Sequence, residues 1–154
     1  MGLITVGTNS YVDLTYADEY LSHRLFNDAW VNSTIVQKEQ ALIMATGKID
    51  RQILSGIKAI LTQKLQFPRS IYSYSIGEWN IQTEVPSNVK NAVCEEALAL
   101  LDFGDSKRLK LQKQGVTNVN LGNISESYNG NIKKLLSDEA RELIQPFLGS
   151  VSIC

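Results

Sequence analysis

A short basic run holds the side chains in this sequence that are best suited to contact phosphate groups. Its four cations are Lys107, Arg108, Lys110 and Lys113. Closely spaced lysine and arginine side chains bind nucleic-acid phosphates or the acidic surface of a partner protein. The pattern also fits a solvated continuation of the preceding helix, and the run contains no aromatic residue that could stack on bases. The run is therefore a candidate contact with DNA or with an acidic partner.

Residues that could perform nucleophilic, acid–base or metal chemistry are few. The single histidine, His23, is not part of a recognisable catalytic pattern, and we expect it at the surface. Cys94 and Cys154 do not have the spacing of a metal site or a disulfide framework. We expect Cys94 to be a small buried apolar residue and Cys154 to be an unpaired thiol. The sequence predicts no catalytic residue, no cofactor and no metal site.

Two pairs of adjacent carboxylates, Glu95–Glu96 and Asp138–Glu139, are also poorly placed for catalysis. Neighbouring side chains on a helix point about 100° apart, so the members of a pair do not converge on one substrate atom. We expect the first pair to lie on a solvated helix edge and the second to supply charge to a helix N-terminus. The sequence also lacks a glycine-rich phosphate-binding loop. We therefore expect a protein that is not an enzyme.

The composition is that of an ordinary globular domain. The 154 residues are 44% hydrophobic and 20% charged, and 15 basic residues nearly balance 16 acidic ones, for a net charge of −1. A domain that wraps nucleic acid usually has a clear basic excess, which this chain lacks. We expect a single domain over residues 1–154 in a reducing, cytoplasmic setting, with no membrane segment and no secretory signal.

Hydrophobic periodicity and capping residues predict four helices. They begin near Thr15, at Ser33 or Thr34, at Pro86 and after Ser137, and the third ends at Gly104. The second should run toward Leu54, with a capping box formed by Thr34 and Gln37. Its expected apolar face contains Ile35, Leu42, Ile49 and Ile53, with Ala45 and Thr46 beside them and Lys48 and Arg51 pointing away. Between the second and third helices, residues 71–76 fit a strand and a loop equally well.

The third helix is apolar over an unusually wide arc. One stripe contains Val89, Val93, Ala97 and Leu100, and a second contains Cys94, Leu98 and Leu101. Such a helix is either central to the domain or shared between its core and a neighbouring subunit. Leu98 and Leu101 are therefore candidate subunit contacts.

The composition changes between residues 104 and 131, a segment that we call the arm. After the basic run it is rich in Asn, Gly and Ser, and its scattered β-formers are Val116, Val119, Leu121 and Ile124. A short β-leaning tail with Val151 and Ile153 closes the chain. We expect these six residues to contact a neighbouring subunit or a partner. The predicted fold is mainly α, a small bundle of about four helices with an extended arm or β-hairpin and a short C-terminal tail.

A series of short motifs, in order along the chain, resembles one family of viral proteins. It begins with Asn-Ser-Tyr-Val-Asp at 9–13, Ala-Asp-Glu-Tyr at 17–20, Trp30, and Gln-Lys-Glu-Gln-Ala-Leu-Ile-Met-Ala-Thr at 37–46. It continues with Gln-Phe-Pro-Arg at 66–69, Val-Pro-Ser-Asn-Val-Lys at 85–90, Glu-Glu-Ala-Leu-Ala-Leu-Leu at 95–101, the arm residues 119–128 and Pro-Phe-Leu at 146–148. Together the motifs resemble the head–tail connector proteins of tailed phages, also called adaptor or head-completion proteins. Some members are labelled DnaT-like single-stranded-DNA-binding proteins.

This resemblance implies a structural protein of the virion neck that assembles in the host cytoplasm. Such a protein forms a homo-oligomeric ring, dodecameric by family resemblance, beneath the portal protein. The ring extends the channel through which double-stranded DNA passes without sequence specificity, and it receives a tail or stopper protein. The basic run would then face DNA in the channel, and the apolar residues of the arm and tail would contact the portal or another subunit. The alternatives are a single-stranded-DNA-binding accessory protein and a helical interaction domain of another assembly.

Overall fold

The computed structural model describes residues 2–104, 118–121, 124–127 and 136–149. Within them the α-helices are α1 (Leu14–Ser22), α2 (Asp28–Val31), α3 (Ile35–Asp50), α4 (Ser87–Phe103) and α5 (Asp138–Ile144). The strands are β1 (Ile57–Lys58), β2 (Arg69–Ser73), β3 (Glu78–Ile81), β4 (Asn118–Leu121) and β5 (Ile124–Ser127), and a 3₁₀ turn (Gln145–Phe147) follows α5. The prediction of a mainly α fold is confirmed in part, because the described residues also form antiparallel sheets. No helix in these ranges is long and apolar enough to cross a membrane.

Helix α4 is the centre of the core, and α1, α2, α3 and α5 all pack against it. Residues from both predicted apolar stripes are buried, namely Val89, Val93, Cys94, Ala97 and Leu98. The wide apolar arc therefore serves the interior of the chain, where each fully buried Val or Leu contributes about 1.5–3 kcal/mol. Gly104 ends the helix as predicted, whereas Pro86 occupies the capping position and Ser87 is the first helical residue.

Helix α3 begins with the predicted capping box. The Thr34 hydroxyl accepts from the backbone N–H of Gln37, whose side chain accepts from the Thr34 backbone N–H at 2.9 Å. Leu42 and Ile49 are fully buried, but the prediction was wrong for the two ends of the apolar face. Ile35 is exposed because it opens the first turn, and Ile53 is exposed because the helix ends at Asp50 rather than near Leu54.

The N-terminal helix pair differs from the prediction in two respects. Asp13, not Thr15, caps α1, because its carboxylate accepts from the backbone N–H of Tyr16 at 2.8 Å. Around Trp30, between the first two predicted helices, the chain forms an additional single-turn helix, α2. Trp30 is buried and donates its indole N–H to Asp18 at 2.7 Å. This aromatic anchor explains why so short a helix forms between α1 and α3.

Of residues 71–76, which fitted strand and loop equally well, residues 71–73 belong to β2 and residues 74–76 form a turn. Strand β2 is the central strand of a three-stranded antiparallel sheet of order β1–β2–β3. The Phe67–Pro68 peptide bond that precedes β2 is cis. Arg69 is buried at the start of β2, and its guanidinium donates to the carbonyl oxygens of Ser55 at 2.7 Å and Gly56 at 2.6 Å. A Cβ on Gly56 would lie 2.1 Å from the Ser70 oxygen, so only glycine fits where β1 meets β2.

The arm and the C-terminal helix match the prediction where the structure describes them. Strands β4 and β5 pair antiparallel with Asn118 opposite Ser127, as expected for a β-hairpin. Ser137 caps α5 by accepting from the backbone N–H of Ala140, with Asp138 and Glu139 in the first turn. Pro146 lies in the 3₁₀ turn that follows, so the helix ends just before it, as predicted.

Candidate interaction surfaces

Most of the residues predicted to contact partners lie outside the described residues. These are the basic run Lys107, Arg108, Lys110 and Lys113, together with Val116, Val151 and Ile153. Val119, Leu121 and Ile124 belong to β4 and β5, whose backbone alone is described. Leu98 packs in the core with an exposed fraction of 6%, and Leu101 is half-buried against the same core. Their roles as DNA or subunit contacts remain predictions.

The Glu95–Glu96 pair does not lie on a solvated edge, and this prediction was wrong. Glu95 is buried, and it accepts from the Tyr20 hydroxyl at 3.0 Å and from Arg24 Nε at 2.6 Å. Glu96 is also buried and accepts from Lys48 Nζ and from the backbone N–H of Ser137. Burial and the neighbouring Glu95 charge together raise the pKa of Tyr20 to about 12.

These two carboxylates connect α4 to three other helices. Glu95 contacts Tyr20 in α1 and Arg24, two residues beyond the end of α1, whereas Glu96 contacts Lys48 in α3 and Ser137 at the start of α5. Lys48 therefore points toward α4, contrary to the predicted orientation. One sequence signal could have indicated this burial. A helix that is apolar over two stripes leaves only a narrow polar strip, so adjacent carboxylates on it lie close to the elements packed against the helix and need partners there.

A second buried network joins the N-terminal segment to the loop before β2. The Tyr11 hydroxyl donates to Asp50 and accepts from the backbone N–H of Phe67 at 3.0 Å. The other Asp50 oxygen accepts from the backbone N–H of Gln66 at 3.3 Å. Burial raises the pKa of Asp50 above its usual range, although these hydrogen bonds oppose the shift. The network positions a loop and contains no group placed to act on a substrate.

Exposed aromatic side chains gather on the three-stranded sheet. The aromatic cluster consists of Tyr72 and Trp79, which face each other across β2 and β3, and of Tyr74 just beyond β2. The ring centroids of Tyr72 and Trp79 are 5.5 Å apart, and those of Tyr72 and Tyr74 are 5.0 Å apart. The exposed fractions of Trp79 and Tyr74 are 53% and 91%. Flat aromatic faces at the surface are suited to stacking on bases or to packing against a partner protein.

A second exposed apolar surface is the turn between α1 and α2, which presents Leu25 and Phe26. Their exposed fractions are 75% and 87%. Phe26 has a φ of +58°, in the left-handed region that large side chains rarely adopt. Arg24 supports the turn through Glu95 and also donates to the Leu25 carbonyl oxygen at 3.0 Å. We call this feature the Leu25–Phe26 turn.

A third surface is an open groove between α3 and the C-terminal end of α4, which we call the α3–α4 groove. It has a volume of about 610 Å³ and is lined by Ile43, Met44, Gly47, Lys48, Arg51, Gln52, Leu100 and Gly104. Ile43, Met44 and Leu100 supply an apolar floor, and Lys48 and Arg51 supply positive charge. The Lys48 ammonium is paired with Glu96, whereas Arg51 is exposed and donates Nε to the Gly47 carbonyl oxygen at 2.9 Å.

The described residues do not form a recognisable catalytic or metal centre. None of them belongs to a group of three or more His, Cys, Asp or Glu side chains that could hold a metal ion. His23 is exposed and its Nδ1 lies 2.9 Å from the Glu19 carbonyl oxygen, which confirms the predicted surface position. Cys94 is buried as predicted, and burial raises the pKa of its thiol to about 12, which disfavours the nucleophilic thiolate.

Comparison with known proteins identifies the family. The model of a family described as "Putative DnaT-like ssDNA binding protein" matches residues 1–153. The chain belongs to this DnaT-like family. The match covers the aromatic cluster, the Leu25–Phe26 turn, the α3–α4 groove and the arm. Searches of curated proteins and of solved structures found no match to this DnaT-like protein.

Proposed function

We propose that this DnaT-like protein is a non-enzymatic adaptor of a tailed-phage neck. In this role many copies form a ring beneath the portal protein, extend the DNA channel and provide the docking surface for a tail or stopper protein. The proposal is supported by the motif order of the sequence and by one structural observation. Among the residues that the structure describes, large apolar side chains remain exposed beside a well-packed core, including those of the aromatic cluster, the Leu25–Phe26 turn and the α3–α4 groove. Large exposed apolar patches mark protein–protein interfaces.

The demands of a neck ring explain this arrangement. Each subunit of a ring needs two different lateral surfaces, and a ring between portal and tail also needs axial contacts. A net charge of −1 suits a channel wall, because strong phosphate binding would slow DNA passage. Many weak contacts within one assembly give high avidity, so a single subunit does not need high affinity for the portal.

Electron microscopy of the portal protein mixed with this protein tests the proposal. We expect ring-shaped density added to one end of the portal, because apolar surfaces that are uncovered in the free chain become buried on assembly. Portal alone and portal with an unrelated protein of similar size are the controls. Portal particles without added density, under conditions in which both proteins remain folded, would contradict the adaptor role.

The aromatic cluster favours a second candidate, a single-stranded-DNA-binding accessory protein, in keeping with the description of the family. Base stacking on an aromatic side chain contributes about 1–3 kcal/mol per base. A single-strand-binding site also needs positive charge to contact the phosphates. That charge is missing from β2 and β3, because these strands contain no lysine and their single arginine, Arg69, is buried. This candidate therefore ranks second.

An oligonucleotide titration at several salt concentrations separates the two candidates. Single-strand binding predicts affinity tighter than about 1 μM at physiological salt, a steep decrease with added salt, and about tenfold or greater weakening in Trp79→Ala. Phe103→Ala is the matched control, because Phe103 is an exposed aromatic residue outside the cluster. Weak binding that is the same in both variants would exclude the second candidate.

A further inference from the structure

The Leu25–Phe26 turn combines two features that a purely structural turn does not need. It exposes two adjacent large apolar side chains, and it holds the aromatic one on a left-handed backbone. Residues in sparsely populated backbone regions persist only where the surrounding structure enforces them, and they concentrate at functional sites. The turn is enforced in this way by Arg24, which is bound to Glu95, and by Asn27, which donates to the Leu21 carbonyl oxygen at 2.7 Å. The two apolar side chains are thus presented in a preorganised way.

The α3–α4 groove has the size and lining to receive these side chains. Its volume of about 610 Å³ lies within the range of about 300–1,000 Å³ typical of ligand pockets. Met44, which is 57% exposed, lines it together with Leu100. Methionine adapts its shape to an inserted partner and makes favourable contacts with aromatic rings.

The turn and the groove lie on different sides of α4. Glu95 and Glu96 are adjacent and point about 100° apart. Glu95 is bonded to Arg24, beside the turn, whereas Glu96 is bonded to Lys48, which lines the groove. The turn of one chain therefore does not fill the groove of the same chain.

The charges around the two surfaces are complementary. The exposed Arg51 gives the groove a positive charge, whereas the Lys48 ammonium is already paired with Glu96. Exposed Glu19 and Asp28 flank the turn, and Glu139 lies nearby, 3.8 Å from Arg24. Opposite charges at the rims of an interface guide association and set its register.

We propose that the Leu25–Phe26 turn of one copy inserts into the α3–α4 groove of the next copy. The occupant of the groove is thus a second copy of this chain. Because the two surfaces differ, the contact is head-to-tail, and its repetition closes into a ring when the rotation between copies permits. The inference rests on the proposed adaptor function for the ring as a whole, and it assigns the lateral interface to particular residues.

Disulfide crosslinking tests the interface. In a Cys154→Ser background, a chain carrying both Phe26→Cys and Met44→Cys should form a ladder of dimers, trimers and larger species when it is oxidised at millimolar protein concentration. A mixture of the two single variants should give dimers only, because each chain then has one reactive surface. Absence of the ladder would overturn the proposal, and so would dimers formed equally well by Phe26→Cys alone, which would indicate a symmetric contact.

Charge reversal provides a second readout in the double-cysteine chain. Arg51→Glu and Asp28→Arg should each lower the yield of crosslinked species by about tenfold, because each places like charges together at the rim. Combining the two substitutions should restore most of the yield. Glu84→Lys is the control, because Glu84 is exposed and distant in sequence from both surfaces. Equal yields of crosslinked species in all these variants would overturn the proposal. Circular dichroism verifies that each variant is folded.

The interface and the adaptor function fail in different ways. If the Phe26→Ala variant and the wild-type chain add equal ring density to the portal, the proposed interface is wrong and the adaptor function stands. If the crosslinked ladder forms but the wild-type chain adds no density to the portal, the interface stands and the adaptor function is wrong.

Discussion

Replacing Glu96 with alanine is expected to lower the free energy of unfolding by about 3–5 kcal/mol. The Glu96 carboxylate is 1% exposed and bonds to two elements at once, through Lys48 Nζ on α3 and through the backbone N–H of Ser137 at 2.6 Å. Truncation leaves the Lys48 charge without its partner and the Ser137 N–H without an acceptor. The Lys48 side chain is 21% exposed and regains some hydration, which places the expected loss toward the lower end of the range.

Urea unfolding followed by tryptophan fluorescence measures this loss. The matched control is Glu78→Ala, because Glu78 is exposed and makes no ion pair among the described residues, and its loss should stay within about 0.5 kcal/mol. Hydrogen exchange adds a local readout, since amides of α5 should exchange faster in Glu96→Ala, whereas those of α1 should change less. A loss below about 1 kcal/mol would show that the buried pair does not hold α5 to α4.

Replacing Phe67 with alanine is also expected to lower the free energy of unfolding by about 3–5 kcal/mol. Phe67 is 2% exposed and lies edge-on to two other rings, with centroids 5.9 Å from Tyr11 and 5.4 Å from Phe147. It therefore joins the N-terminal segment, the loop before β2 and the 3₁₀ turn after α5. No single neighbour can move to fill the cavity, because each belongs to a different element.

The control for this substitution is the exposed Phe26, for which Phe26→Ala should change the free energy of unfolding by no more than about 0.5 kcal/mol. Phe67→Leu should recover most of the lost stability, because leucine refills much of the space. Thermal and urea unfolding measure the change in the free energy of unfolding for each of these variants. Equal effects of Phe67→Ala and Phe26→Ala would contradict the central place assigned to Phe67, and they would also weaken the assignment of Phe26 to an interface.

The sequence predicted features whose causes lie within a few residues. The capping box of Thr34 and Gln37, the Ser137 cap and the end of α4 at Gly104 are confirmed. The two caps depend on hydrogen bonds within one helical turn. Of the two predicted forms of the arm, an extended segment or a β-hairpin, the antiparallel pairing of β4 and β5 shows the hairpin. The Thr15 cap was wrong because Asp13 competes for the same turn, and α1 begins at Leu14.

The candidate surfaces could not be predicted in the same way. Their exposure depends on which neighbours cover each residue, and those neighbours are distant in sequence. Nothing local distinguishes Leu25 and Phe26, which remain uncovered, from Phe67, which is enclosed by Tyr11 and Phe147. The aromatic cluster likewise exists only because β2 pairs with β3 in the register that places Tyr72 opposite Trp79.

By itself, the sequence determined most of the helices, their caps, the order of the family motifs and the apolar arc of α4. Tertiary structure decided the direction in which that arc points, the burial of Glu95 and Glu96, and the separation of the Leu25–Phe26 turn from the α3–α4 groove. The physical reason is the range of the interactions involved. Helix caps and periodicity act over one or two turns, whereas burial and ion pairing join residues such as Lys48 and Glu96 that meet only when the helices pack together.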